Sequence, residues 1–180
     1  MAVSWVTAHI DGGARGNPGP AGFGVHITAA DGKTLAELSE YIGHKTNNVA
    51  EYTALLAALD YAIQHKLSAL QVVGDSELLV KQIKGQYKVK SPDLLPLYER
   101  ARSMIRKLDR FEVRHVLRAK NKDADRLANL AMDRGMGKTL DATTSHPLPR
   151  EYNGIVLGGV VELLSGELPE GTLVKVRPAK

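Results

Sequence analysis

Residues 9–22 read HIDGGARGNPGPAG. A largely apolar run closes on a carboxylate, Asp11, and then on five glycines, two prolines and one asparagine. Just upstream, VSWVTAHI (residues 3–10) alternates in character. Val6, Ala8 and Ile10 share one face, and Thr7, His9 and Asp11 share the other, which is the period of a half-buried strand. The stretch predicts a first strand ending at Asp11. It also predicts a glycine-rich loop whose backbone can come close to a ligand.

Working outward, residues 22–29 and 33–42 read as a hairpin turning at ADGK, since Asp-Gly suits a tight turn. The period then changes. Ala50, Ala54, Ala57, Ala58, Tyr61 and Ala62 recur at three- and four-residue spacing, predicting a helix over 48–64. A short buried strand follows at 69–75, helices at 76–84 and 94–108, a strand at 111–117 and a last helix at 121–134. The order β-β-β-α-β-α-α-β-α implies an α/β fold with a mixed five-stranded sheet flanked by helices. Its first three strands are antiparallel, and two more are delivered by helical crossovers. The core domain is expected over residues 1–136. Residues 137–151, GKTLDATTSHPLPRE, have linker composition. Residues 152–180 resume short strand-like runs, GIVLGGVVELL and TLVKVRP, as a small β-type extension.

The chain has 180 residues, 43% apolar and 24% charged, enough for one domain with an appendage. It contains no cysteine. Disulfides and thiolate metal sites are therefore excluded, and any metal must be held by oxygen or histidine. This composition fits the cytoplasm, the expected location. No basic-then-apolar leader is present, and no run approaches the ~18 apolar residues of a membrane span. The net charge of +4 suits a polyanionic partner.

The acids fall at telling places. Asp11 and Asp75 end the first and fourth strands, and adjacent strand ends lie about 5 Å apart. Glu51 lies one turn into the first long helix, on the stripe of Ala54, Leu55 and Ala58. Asp125 lies in the first turn of the last helix. Taken singly, such an acid is ordinarily a cap or a dipole partner. Four that converge repel one another unless cations sit among them. Oxygen-only ligands favour Mg2+ or Mn2+, and two such ions about 4 Å apart make a phosphoryl-transfer device. One activates the attacking water and the other stabilises the leaving 3′ oxygen. Thr46, Asn47 and Asn48 at a helix start are neutral hydrogen-bonding groups suited to 2′-hydroxyls, base edges or a phosphate, although capping alone accounts for one of them, and Asn17 in the glycine stretch supplies a side-chain donor and acceptor.

Together, DGGARGNPGPAG, TNNVAEYTALLAAL, GDSELLVKQIKGQYKVK and RAKNKDADRLANLA resemble the motifs of type 1 ribonuclease H, in content and in order, over residues 3–135. The resemblance implies endonucleolytic hydrolysis of the RNA strand of RNA–DNA hybrids by two Mg2+ ions, with Mn2+ as an alternative, leaving 5′-phosphate and 3′-hydroxyl ends. It assigns Asp11, Glu51, Asp75 and Asp125 as catalytic metal ligands. It also puts Gly12, Asn17, Asn47 and Asn48 along the hybrid's minor groove and Thr46 at a DNA phosphate.

The sequence departs from the family pattern in several places. Where many bacterial members carry a loop histidine before the last helix, this chain has LRAKN. Arg118 is expected there to contact substrate phosphate or product, with His115 inside the preceding strand. Glu77 replaces a glutamine near the hybrid and reads equally as an outward helix residue. The basic protrusion of many bacterial members is replaced by GQYKVKSPD, where Tyr87, Lys88 and Lys90 either form a reduced version or a solvated linker. In the tail, LPEGTLVKV is similar to the end of a small antitoxin-like β module, and an oligomer through this extension stays open without being predicted. Two other readings stay open: a catalytically silent hybrid-binding module, and a DNA-directed nuclease or transposase-type enzyme of the same fold. The complete acid set argues against both.

Overall fold

The alternation in the first strand builds the centre of a sheet. In the computed structural model, which describes residues 4–137, 154–157 and 160–163, β1 (Val6–Ala14) pairs antiparallel with β2 (Gly19–Thr28), and β2 with β3 (Thr34–Lys45). On its other side β1 pairs parallel with β4 (Ala69–Gly74), which pairs parallel with β5 (Arg110–His115), giving the order β3-β2-β1-β4-β5. Helix α1 (Asn47–Gln64) crosses from β3 to β4, and α2 (Glu77–Ile83) and α3 (Leu95–Ile105) cross from β4 to β5. A 3-10 turn at Arg118–Lys120 leads into α4 (Lys122–Gly135). This is the element order expected, a mixed five-stranded sheet flanked by four helices.

The opening stretch needs a correction. β1 does not stop at Asp11 but runs on through both glycines to Ala14, with Gly12 opposite Phe23, Gly13 opposite Gly22 and Ala14 opposite Ala21. The glycine-rich segment is mostly paired strand, turned around Arg15–Pro18, and its Asn17–Pro18 bond is cis. Close helix packing explains Gly12 and, further along β2, Gly24, whereas Gly16 and Gly19 serve the turn itself. A Cβ on Gly12 would lie 2.2 Å from the backbone of Ala50 and Glu51 in α1, and one on Gly24 would lie 2.3 Å from the Ala124 carbonyl in α4. Missing side chains let two helices press onto opposite faces of the sheet. Alternation predicts strand here, but the glycine density misdirects the reading because glycine also marks turns.

The core follows from the same pattern. Val6, Ala8 and Ile10 are buried, together with Val25 and Ile27 of β2 and Leu70 and Val72 of β4. Above them lie Ala50, Ala54, Leu55, Ala58, Leu59 and Ala62 of α1. The small alanines let the helix lie close to the strands. Thr46 caps α1, its hydroxyl accepting from the Val49 N–H at 3.3 Å, and Ser76 caps α2 in the same way. On the other face α4 lies across β1, β2 and β3, burying Ala124, Leu127, Ala128, Ala131 and Met132.

Contacts divide the chain into two units, Met1–Leu140 and Asp141–Lys180. Within the second, the runs GIVL and VVEL form an antiparallel pair, β6 (Gly154–Leu157) with β7 (Val160–Leu163). The expected linker beyond Gly137 and the TLVKVRP run lie outside the described residues. Among the described residues no helix is long and apolar enough to cross a membrane.

Candidate active site

The parallel register of β1 and β4 sets Ile10 opposite Gly74. The residues that follow, Asp11 and Asp75, therefore meet at one end of the sheet. α1 starts beside them because Gly12 has no side chain to hold it off, and this brings in Glu51. Asp11, Glu51 and Asp75 each offer a carboxylate oxygen, and these atoms lie within 4.8 Å of one another. Asp11 and Glu51 are buried, and Asp75 is half-buried.

So much negative charge in so little water moves the protons. Burial, aided by the charges of Asp75 and Asp125, pushes the Asp11 carboxyl up to about 7. Burial, with Asp11 and Asp75 adding to it, pushes Glu51 up to about 9. A hydrogen bond from the Gly12 backbone to Glu51 and the nearby Arg118 charge work the other way. One carboxylate oxygen of Glu51, Oε2, is fully buried with no hydrogen-bond partner. A buried acceptor on a residue grouped with other acids costs stability unless a cation meets it. The donor set, all oxygen and all acidic, fits a hard divalent ion such as Mg2+ or Mn2+.

Asp125, the fourth expected acid, is close enough to raise Asp11 electrostatically but stands outside the three-residue cluster. Its Oδ1 accepts from Arg118 Nε at 3.0 Å and from a terminal guanidinium nitrogen at 2.5 Å, while its Oδ2 accepts from Asn129 Nδ2 at 3.2 Å. Arg118, whose side chain is 74% exposed, thus holds an acid as well as facing outward. His115 is the last residue of β5, as expected, and its Nε2 lies 3.2 Å from the Asp75 carbonyl oxygen.

The residues expected to meet nucleic acid cluster around the start of α1. Asn17 Oδ1 accepts from the Asn47 backbone N–H at 3.2 Å, and Asn47 Oδ1 accepts from the Ala14 N–H at 2.7 Å. The two amides tie the β1–β2 turn to the helix start, each with its NH2 left over. Asn17, Asn47 and Asn48 are exposed, Thr46 is half-buried and Gly12 is buried beneath α1. Glu77 is exposed and bonded to Lys81 at 2.6 Å. Lys81 also sits 4.9 Å over the exposed Tyr87 ring. Lys88 and Lys90 are exposed on the segment between α2 and α3.

Sequence reasoning passed over Asn121. It marks the expected start of the last helix, where an asparagine reads as a cap, yet its side chain caps nothing. It is 1% exposed and touches Asp75. Only the approach of α4 to β1 and β4 reveals this.

A mixed sheet in this strand order, with acids gathered where its two central parallel strands end, defines the ribonuclease H-like class. Comparison with known proteins agrees. Residues 9–131 match the family described as reverse transcriptase-like. The chain is 50% identical over 129 residues to the bifunctional protein Rv2228c of Mycobacterium tuberculosis, covering 71% of this chain and 35% of that protein. It is 44% identical over 128 residues to ribonuclease HI of Halobacterium salinarum, covering 71% of this chain and 64% of that protein. The chain thus spans about a third of the length of its mycobacterial relatives. Among solved structures it is similar to the N-terminal RNase H domain of Rv2228c, with a TM-score of 0.70 and 48% identity over 72% of this chain and 99% of that one. It is also similar to LC11-RNase H1 in complex with an RNA/DNA hybrid, with a TM-score of 0.69 and 45% identity over 73% of this chain and 99% of that one. This chain belongs to the type 1 ribonuclease H family.

Proposed function

We propose that the unit at residues 1–136 cuts the RNA strand of RNA–DNA hybrids internally. One observation carries the reading: carboxylate oxygens of Asp11, Glu51 and Asp75 converge within 4.8 Å. The name of the Halobacterium relative supports the reaction, and the hybrid in the LC11-RNase H1 complex supports the substrate. In this reading Asp11, Glu51, Asp75 and Asp125 hold two Mg2+ ions, or Mn2+. When bound, these ions supply an activated water and stabilisation of the leaving oxygen. The water oxygen joins phosphorus, the P–O3′ bond breaks, and the proton ends on the 3′ oxygen. The products carry 5′-phosphate and 3′-hydroxyl ends.

The protein's part is positioning. Glu51 brings a carboxylate oxygen to the cluster, and the Gly12 backbone holds the same carboxylate. Asn17 and Asn47 spend their carbonyl oxygens on backbone N–H groups, which leaves NH2 donors facing outward. Minor-groove bases and 2′-hydroxyls offer acceptors to such donors. Gly12 and Asn48 line the same groove, and Thr46 takes a phosphate of the DNA strand. Arg118 exchanges Asp125 for a phosphate of substrate or product. Residues 137–151 then join this catalytic unit to a small β extension at 152–180, and the cysteine-free composition suits the cytoplasm.

The test is cleavage of an end-labelled hybrid with Mg2+, with EDTA and in Asp11→Asn, beside duplex RNA and duplex DNA of the same sequence. Cleavage confined to the RNA of the hybrid, lost with EDTA and in the variant, is expected. Equal cutting of all three duplexes, or an undiminished rate in Asp11→Asn, would refute the assignment.

A further inference from the structure

Four polar or charged side chains are buried among the described residues: Asp11, Glu51, Gln82 and Asn121. Two are acids of the cluster. Gln82 is explained by packing, since its Oε1 accepts the buried Tyr52 hydroxyl at 2.8 Å. Asn121 asks for another explanation. It is the N-cap residue of α4 but makes no side-chain cap, forgoing the ~1 kcal/mol such a bond usually contributes. Its amide turns inward instead. Nδ2 donates to the Ile10 carbonyl at 2.8 Å and to Asp75 Oδ1 at 3.3 Å. Oδ1 lies 3.3 Å from His9 Nδ1, and the backbone carbonyl accepts the Asp125 N–H at 3.0 Å.

One residue therefore touches the peptide that leads into Asp11, the carboxylate of Asp75 and the backbone of Asp125. We infer that Asn121 is the positioning residue of the acid cluster, a neutral clamp that holds Asp75 and the neighbouring backbone in the arrangement that receives a divalent cation. Neutrality matters here. A lysine or arginine at this point would bring its own positive charge and compete with the ion, whereas an amide N–H fixes one oxygen of Asp75 without adding charge. His9 completes the clamp by holding the amide's oxygen end, which sets which way the NH2 points. The inference rests on the metal-dependent reading above.

Its test compares Asn121→Ala and Asn121→Ser with Gln82→Leu, a loss of a buried hydrogen bond away from the acids. Four quantities are read: melting temperature, Mn2+ affinity by spin-resonance titration, and kcat and KM on the hybrid. Both Asn121 variants should bind Mn2+ at least fivefold more weakly and lose at least tenfold in kcat, with KM within twofold of wild type. Gln82→Leu should lose stability with Mn2+ affinity and kcat kept. Serine is the milder change and serves if alanine does not fold. Asn121 variants with wild-type Mn2+ affinity and kcat, or with losses no greater than those of Gln82→Leu at equal destabilisation, would overturn the inference. A wild-type protein that binds Mn2+ but does not cut the hybrid would sink the proposed function instead, and the Mn2+ titration would still decide the role of Asn121.

Discussion

Ile10 and Gly74 stand opposite each other in the parallel β1–β4 pair, so Asp11 and Asp75 emerge as neighbours. Their closeness is a property of strand register, and shifting either strand by one residue would send one acid to the other face. Replacing either acid by its amide keeps the shape and removes one negative charge from the proposed metal site. Asp11→Asn and Asp75→Asn should each lower hybrid cleavage by a factor on the order of 100 or more. Hybrid affinity, measured by fluorescence anisotropy in Ca2+, should stay within about threefold.

The same crowding sets a pH dependence. Asp11 and Glu51 hold their protons more tightly in the folded chain than in the unfolded one, where 3.8 and 4.5 are the ordinary values. Their contribution to stability is therefore full below about pH 4. It is lost as pH rises through about 7 for Asp11 and about 9 for Glu51. Melting curves in EDTA should fall steadily from pH 5 to pH 9. With millimolar Mg2+ the fall should flatten, and the stabilisation by the ion should be largest at the alkaline end. A metal effect that does not change with pH would contradict the cluster's electrostatics.

Gly12 and Gly13 are adjacent in the chain but face different elements. A methyl group on Gly12 would strike the α1 backbone at 2.2 Å, whereas one on Gly13 would meet only the flexible end of Met132 at 3.1 Å. Gly12→Ala should cost more than about 3 kcal/mol, or abolish folding, because backbone must move. Gly13→Ala should cost less than about 1 kcal/mol. Urea unfolding of the two variants, read by circular dichroism, checks the contrast.

Arg118 balances Asp125 at the surface of the site. Because its side chain is 74% exposed, the ion pair contributes at most ~1 kcal/mol. Arg118→Ala should leave melting below about pH 5 nearly unchanged while slowing hybrid cleavage by about tenfold, since the charge available to a phosphate is gone. It should also push Asp11 and Glu51 further up, as Arg118 is one of the charges that lowers them. In that variant the alkaline loss of stability in EDTA becomes steeper. Equal rates for the variant and wild type would remove Arg118 from the substrate contacts.

Much of this protein is legible without coordinates, because hydrophobic periodicity is a local record of which face is buried. Val6, Ala8 and Ile10, the alanine stripe of α1 and the inner face of α4 predicted the elements and their order. The placement of Asp11, Glu51, Asp75 and Asp125 at element ends pointed to one site. Local pattern misled where glycine was concerned. Gly12 reads as freedom and is in fact the contact point of a helix, since a missing side chain looks the same in sequence whether it serves a turn or a close approach.

What only the tertiary structure decided is how distant groups share space. Register set Asp11 beside Asp75, while helix packing made Glu51 a buried acid with an unpartnered oxygen and drew Asp125 to Arg118. The inward turn of Asn121 is of the same kind, because a cap and a clamp use the same amide and differ only in what lies within three ångströms or so of it. Sequence records which surfaces want burial. Charge, hydrogen bonding and proton affinity depend on distances between residues far apart along the chain, and these exist only once the sheet has closed.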